Sequence, residues 1–414
     1  MRCKYKSRNI HCESVFHSVG QGLFYSMKLD NFNMVYDCGS KAQQPLTTEI
    51  NNFKNGISGV LDLLIISHFH DDHVSGLDTL LINTRVKRLL IPYLTPVERL
   101  YLSVQHSEAS ASYHRFLADP TGTLLELTDI DEIIVVGSAP PDDENNIDFE
   151  PEFPEPHPNK EGRDIDSLLE DSDIPDFILG DDGYKIPSNR AKYLEYYGNW
   201  VMDKRWEFQI FRPPTSFSDL YRFLKHLLKN GIDPRNQSQV LNAILNQATR
   251  GYISNGYPTN SDHRNDTSLL LYHGPRNQKK ITYRWSPIMY PFVFWPYNRS
   301  SFGEKYFGHL LTGDINLNTR DKNNKKYVDE ICQYYANKSD DVVVGLLPHH
   351  GSNRNWNLKM LSDFPNCYNW VASAKSSSTH HPGRKVLLDL VRNGKYVFLC
   401  DENQSIELTA DIHY

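Results

Sequence analysis

His68-Phe-His70-Asp-Asp72-His73 follows directly after the apolar run Leu61-Asp-Leu-Leu-Ile-Ile-Ser67. The run is typical of a buried strand, so we expect the imidazoles and the carboxylate to lie together at the edge of a sheet. Histidine nitrogens and aspartate oxygens are suitable ligands for Zn²⁺ or a similar divalent ion. The chain contains 17 histidines and some close pairs arise by chance, but four ligand side chains within six residues favour a metal site.

The spacing of these four side chains suits two ions rather than one. His68 and His70 would bind the first ion, and Asp72 and His73 would reach the second. Gly76 then fits a turn into a helix. The motif therefore predicts one or two divalent ions, Zn²⁺ or Mn²⁺.

Two later motifs also place ligand side chains just past apolar runs. Leu310-Leu-Thr-Gly-Asp314 ends in a carboxylate, and Val342-Val-Val-Gly-Leu-Leu-Pro precedes the pair His349-His350. Packing alone explains either motif about as well as metal binding does. Their order after the first motif favours a shared metal centre, in which one of His349 and His350 binds.

The three motifs, in this order, resemble the metallo-β-lactamase superfamily. The competence-type branch, related to the soluble domain of bacterial DNA-uptake channels, is similar over more of the chain. The stretches that carry this resemblance are Phe16–Phe24, Val35–Ser40, Asn265–Leu271, His349–Ser352, His381-Pro382, Val386–Val391 and Lys395–Asp401. The resemblance implies an α/β fold, a four-layer αββα sandwich.

The resemblance also implies roles for individual residues. Asp314 would bridge two metals, and Asp72 would hold metal and orient water. Because glycine follows the ligand histidine in many relatives, we favour His350 as the ligand. His349 or His381 would then meet the charge that develops on a transition-state oxygen.

The chain departs from the family pattern at the residues that would bind the first ion. Many two-metal relatives carry another histidine before the bridging aspartate, whereas this chain has Asn265 there. His263 and His273 lie nearby in sequence, but each is better explained as a loop or strand-end histidine. The first site is then left with His68, His70 and Asp314.

The motifs and the composition suggest three segments. Residues 1–137 form the first half of the core, residues 138–190 an acidic, Pro-rich insertion, and residues 191–414 the second half, with a helical insertion at about 215–260. Helical spacing from Phe217 to Thr249 predicts two helices flanking Gly231-Ile-Asp-Pro234.

Charge is distributed unevenly along the chain. The formal net charge is −7, but Asp142 to Asp182 contains 16 acidic residues against Lys160 and Arg163 and so carries −14. The remainder therefore carries about +7 and is able to meet a polyanion. A solvated linker explains the insertion most simply; covering a basic cleft or docking a protein partner is the alternative.

A basic and aromatic stretch follows the central strand. Arg276, Lys279, Lys280 and Arg284 lie among the aromatic residues of 283–297. This mixture offers cations for phosphates and stacking faces for bases, although such loops also pack as minor cores.

These observations favour a metal-dependent hydrolase, a nuclease or phosphodiesterase acting on DNA or RNA. A bound ion brings the pKa of its water from 15.7 to about 7, and two ions stabilise attacking and leaving oxygens together. The alternatives are a hydrolase of small esters, lactones or phosphocholine esters, and a non-catalytic metal-binding module that recruits a partner.

Apolar runs, the N-terminus and the cysteines indicate where in the cell we expect the protein. The sequence contains no run of eighteen apolar residues, and its basic N-terminus lacks the apolar segment of a signal peptide, so we expect a cytoplasmic protein without a membrane span. Six cysteines without C-x-x-C spacing argue against a disulfide framework or a zinc knuckle.

Overall fold

The structure is a computed structural model that describes residues 9–137, 166, 169, 174–213, 217–257, 268–286, 301–304, 306–320 and 325–414. Most of the acidic insertion, Asn265, His263 and the aromatic residues of 287–300 lie outside the described residues. Among the described helices, none combines the length and the apolar character that crossing a membrane requires.

The larger of two sheets contains eleven of the described strands. In spatial order these are β13 (Ser301–Glu304), β12 (Lys280–Ser286), β18 (Ile406–His413), β1 (Ile10–Phe16), β2 (Gly22–Leu29), β3 (Phe32–Ser40), β5 (Leu63–Ile65), β6 (Arg85–Pro92), β7 (Ile130–Val136) and β8 (Ala191–Leu194), with β4 (Val60–Leu61) paired to β6.

The smaller sheet contains seven strands of the described chain. Their order is β17 (Tyr396–Cys400), β16 (Asn369–Ser373), β15 (Val342–Leu346), β14 (Gly308–Leu311), β11 (Leu270–Pro275), β10 (Trp206–Phe211) and β9 (Tyr197–Met202). The strands from β14 to β17 are parallel, and those from β9 to β14 are antiparallel.

Helices cover the outer faces of both sheets. On the larger sheet lie α1 (Gln43–Asn55), α2 (Asp71–Val74), α3 (Leu77–Leu81), α4 (Pro96–Gln105), α5 (Ala111–Ala118), α6 (Pro120–Leu127), α7 (Asp176–Leu179), α8 (Phe217–Lys229), α9 (Gln237–Leu245) and α10 (Gln247–Gly256). On the smaller sheet lie α11 (Tyr327–Tyr334), α12 (Lys359–Asp363) and α13 (Arg384–Arg392).

Three hydrophobic layers separate these four layers of secondary structure. Successive strand side chains point to opposite faces, so Tyr25 and Met27 of β2 lie between the sheets whereas Phe24 packs against the helices. On β11, Leu271 lies between the sheets and Leu270 faces the helices of the smaller sheet. The predicted αββα sandwich is confirmed.

One end of the sandwich gathers the metal-binding motifs. The carboxyl ends of parallel strands meet at the same edge of a sheet, where α/β folds commonly bind ligands. His68 follows β5, Asp314 follows β14, and His349 follows β15. Motifs that are about 280 positions apart in sequence therefore meet at one end of the molecule.

The two insertions differ in detail from the predicted pattern. Three helices, α8 to α10, replace the two expected, and they pack on α4 and α5. The end of the acidic insertion is also part of the core: Ile178 and Tyr184 are buried, and Asp181 forms a buried ion pair with Arg99. Leu169, earlier in the insertion, is also buried, so these described residues of the insertion belong to the core rather than to a separate linker.

His273 lies neither in a loop nor at a strand end. It sits inside β11, fully buried between the sheets, where its Nε2 is 2.8 Å from the hydroxyl of Tyr25. The same hydroxyl is 3.0 Å from Nδ1 of His309 on β14. Burial lowers the pKa of His309 to about 3, so this imidazole is neutral at neutral pH. The cluster joins the two sheets.

Candidate metal centre

Two groups of three ligand side chains meet at this end of the sandwich. His68, His70 and Asp314 form the first group, and Asp72, His73 and His350 form the second. Within each group the ligand atoms all lie within 4.8 Å of one another, and all six residues are buried. The structure thus brings together every residue that the sequence predicted as a metal ligand.

The donor atoms of the first group suit a cation. The Nε2 atoms of His68 and His70 are buried and have no hydrogen-bond partner. A buried polar atom without a hydrogen-bond partner destabilises the folded protein by about 1–3 kcal/mol. Two such atoms beside a carboxylate therefore indicate a binding site for a ligand. Imidazole nitrogens and carboxylate oxygens bind Zn²⁺ and Mn²⁺ readily. The residues present therefore fit a divalent metal ion.

Asp314 lies between the two groups. Its Oδ1 is 3.2 Å from Nε2 of His73. Its Oδ2 is 3.8 Å from Nε2 of His68 and 3.8 Å from Nε2 of His350. One carboxylate thus faces ligands of both groups, as the bridging position requires.

Asp37 orients the imidazoles of His68 and His73 through contacts on the Nδ1 side of each ring. Nδ1–H of His73 donates to Oδ2 of Asp37 over 2.8 Å. Nδ1 of His68 lies 2.8 Å from the hydroxyl of Ser67, which itself donates to Asp37. These bonds leave the Nε2 atoms free to face a metal, which is the usual role of a carboxylate behind a ligand histidine.

Sequence reasoning missed this role of Asp37. The residue falls within Val35–Ser40, which the sequence singled out only for its family resemblance, and the local pattern around it carries no ligand signature. It has a φ of 56°, which is uncommon for a residue other than glycine. A buried aspartate in a left-handed conformation is therefore held by its partners.

His350 and His349 differ in what their rings contact. Nδ1–H of His350 donates to the carbonyl of Ser373 over 2.7 Å, so its Nε2 is directed to Asp72, 3.5 Å away. Nδ1 of His349 lies 3.6 Å from Asp314, and its side chain is 28% exposed. His350 is thus placed as a ligand would be, whereas His349 faces both the cluster and solvent.

The third predicted catalytic residue, His381, lies beside this pair. Its ring centroid is 5.6 Å from that of His349 and 5.9 Å from that of His350. Burial, with the neighbouring His350, lowers its pKa to about 4. The imidazole is therefore neutral at neutral pH and able to donate one hydrogen bond.

Burial and charge set opposite protonation states within the cluster. Burial lowers the pKa values of His68 and His70 well below the usual range, which keeps both imidazoles available as ligands. Burial alone would raise the pKa of Asp314, but His73 and His350 hold it well below its usual value. The Asp314 carboxylate is thus ionised.

Two glycines allow the backbone of the first motif to approach the sheet. A Cβ atom on Gly39 would lie 2.5 Å from backbone atoms of His73, and one on Gly22 would lie 2.6 Å from the carbonyl oxygen of Asp72. Neither distance is sterically possible.

His106 is a further neighbour that sequence reasoning missed. It follows α4, and its ring centroid lies 5.2 Å from that of His70. Because α8 to α10 pack on α4 and α5, the helical insertion supports one wall of the metal centre through this residue. No spacing rule in the sequence links His106 to the first motif.

Comparison with known proteins agrees with this arrangement. A family model described as the metallo-β-lactamase superfamily matches residues 18–160. No curated protein matches the sequence. The superfamily prediction is supported over these residues, whereas the competence-type branch stays a prediction. The match and the two His/Asp groups together support a metal-dependent hydrolase.

Two solved structures are similar to the chain. One is the metallo-β-lactamase fold protein YhfI from Bacillus subtilis, with 9% identity, a TM-score of 0.36, and coverage of 96% of this chain and 99% of that chain. The other is human tRNase Z, short form, with 7% identity, a TM-score of 0.33, and coverage of 92% and 88%.

A first prediction concerns Gly39. We expect Gly39→Ala to push the His73 backbone away from β3 and to lower the amount of bound metal, because the added methyl group has no room. Gly251→Ala is the matched control: no atom lies within 4 Å of its added Cβ, and alanine in a helix gains up to about 1 kcal/mol over glycine. Elemental analysis of both purified variants tests this, and full metal content in Gly39→Ala would contradict it.

A second prediction separates the adjacent histidines. His350→Ala should lower the bound-metal stoichiometry, because it removes a buried nitrogen directed to Asp72. His349→Ala should retain metal and lose turnover. Equal metal loss in the two variants, measured on the same preparations, would refute the distinction between ligand and substrate-facing histidine.

Proposed function

We propose that this protein is a metal-dependent phosphodiesterase that cleaves DNA or RNA. The observation that supports this most is the position of Asp314 between two ligand groups. Two ions bound at such groups would lower the pKa of water to about 7 and offset charge on both the attacking and the leaving oxygen of an in-line displacement.

Individual side chains orient the water and bind the phosphate. Asp72, ionised because His350 and His73 outweigh the effect of its burial on its pKa, accepts a hydrogen bond from the attacking water and orients it. His349, partly exposed beside Asp314, donates to an oxygen of the scissile phosphate. His381 lies near enough to replace or assist it.

Charge favours a phosphodiester over a neutral ester. A phosphodiester carries a permanent negative charge, and it gains more from a cationic centre than a neutral lactone or thioester does. Outside the acidic segment the chain carries about +7. A polyanionic substrate is therefore the best match for this centre and its surroundings.

The third prediction tests the proposed reaction. His68→Ala and Asp314→Ala should each lose hydrolysis of DNA and RNA by at least about a hundredfold, since second-sphere changes alone cost 10–100-fold at metal sites. Both variants should also bind less metal. His11→Ala, an exposed histidine on β1, is the matched control and should retain full activity.

The substrates in this assay distinguish the alternatives. Metal-loaded wild-type protein is incubated with single- and double-stranded DNA and RNA, a lactone, a thioester and a phosphocholine ester. Turnover of the small esters alone would replace the proposal with a small-molecule hydrolase. Absence of turnover on every substrate would favour a non-catalytic module that recruits a partner.

A further inference from the structure

The basic stretch that the sequence singled out lies away from the metal centre. Lys280 begins β12 and pairs with His413, whereas Ser286 pairs with Glu407 near the start of β18. The metal centre lies at the Ser286 end. Lys280 therefore lies six residues, about 20 Å, along the strand from that end. Contact between these lysines and nucleic acid stays a prediction, at a distance from the reacting phosphate.

Other cations surround the centre instead. Four exposed basic residues lie in the loops and at the helix end that carry it, and we call them the cationic rim. Its members are Lys41, Lys375, Arg384 and Lys385.

Lys41 adjoins the first metal motif. Its backbone N–H donates to the carbonyl of Gln21, and it follows the Ser40 carbonyl that accepts from Ser75. Its charge also acts on Asp71, the first residue of α2. The ammonium group therefore lies close to the helix that carries Asp72.

Lys375 adjoins the second ligand group. It lies two residues beyond Ser373, whose carbonyl accepts from His350 and whose hydroxyl donates to Gly22. Ser376 donates to Glu402, which anchors the start of this loop. Lys375 is thus held beside the centre by a fixed loop backbone.

Arg384 and Lys385 lie at the start of α13, beside the residues that follow the histidine pair. Gly383 donates its N–H to the carbonyl of Gly351 over 2.8 Å, and the N–H of Lys385 donates to Asn353 over 3.0 Å. Both contacts involve the residues that directly follow His350. The start of α13 is thereby fixed against the metal centre.

The rim has an excess of positive charge. Among the described residues, none of its four side chains forms an ion pair within 4.0 Å. The carboxylates of Asp71 and Glu402 lie near Lys41 and Lys375, so four cations face two carboxylates. This excess of positive charge around a metal centre creates a surface that attracts phosphates.

We propose that the cationic rim binds the phosphates flanking the scissile bond of a nucleic-acid strand, an inference that rests on the proposed function. The rim residues lie on three separate segments next to the metal centre, at Lys41, at Lys375 and at the start of α13, so they contact several successive phosphates of one strand. Backbone contacts of this kind carry no base readout, so affinity is similar across sequences.

The test measures binding rather than turnover. Lys41→Gln, Lys375→Gln, Arg384→Gln and Lys385→Gln are combined in the full chain, and Lys279→Gln with Lys280→Gln is the control. Affinity for fluorescent single-stranded DNA and RNA oligonucleotides is measured with EDTA present and with Mn²⁺ added, from 50 to 300 mM salt. Thermal unfolding confirms that each variant is folded.

The rim variant should weaken binding at low salt and reduce the slope of log affinity against log salt by about 3, since each lost phosphate contact removes about 0.7–0.9. The control should bind as the wild type does. Unchanged affinity in the rim variant, or an equal loss of affinity in the control, would overturn the proposal that the rim binds phosphates. If binding depends on the rim but no strand is cleaved with metal, the rim stands and the proposed nuclease activity falls.

Discussion

The rest of this structure depends on the burial of imidazole nitrogens and carboxylates in one place. His68 and His70 present unpartnered Nε2 atoms, and the ionised Asp314 lies within 4 Å of the imidazoles of His73 and His350. Burying such groups without a counter-ion costs several kcal/mol. A divalent ion offsets this cost, and the surrounding elements serve to keep the ligands in reach. The strand ends supply the ligands, and Asp37 orients them. Gly22 and Gly39 let the backbone of Asp72 and His73 approach the sheet.

The sequence predicted the ligands because each motif carries them just after an apolar run. A strand and its following loop form a local pattern, so His68, Asp314 and the His349-His350 pair can be identified without a structure. Asp37 and His106 could not be found in this way, since their roles depend on packing between distant segments. The same limit applies to the position of Lys279 and Lys280. Composition showed a basic stretch, but the pairing of β12 with β18 decides which end it occupies.

The metal centre and the charged residues around it together narrow the range of possible substrates. A site with two ligand groups around one carboxylate suits phosphoryl chemistry, and an excess of exposed cations beside it suits a polymer of phosphates rather than a single small ester. The acidic segment gives the whole chain a net charge of −7, which hides this local excess. Overall charge is thus a poor guide here, because the acidic and basic residues occupy different parts of the sequence.

The most direct test of this account is a crystal structure of metal-loaded protein with anomalous scattering measured at the absorption edge of the bound ion. The account predicts two anomalous peaks about 3.5–4 Å apart, one beside His68 and His70, the other beside His73 and His350, with Asp314 contacting both. A structure at saturating metal with no peak among these residues would contradict the central claim.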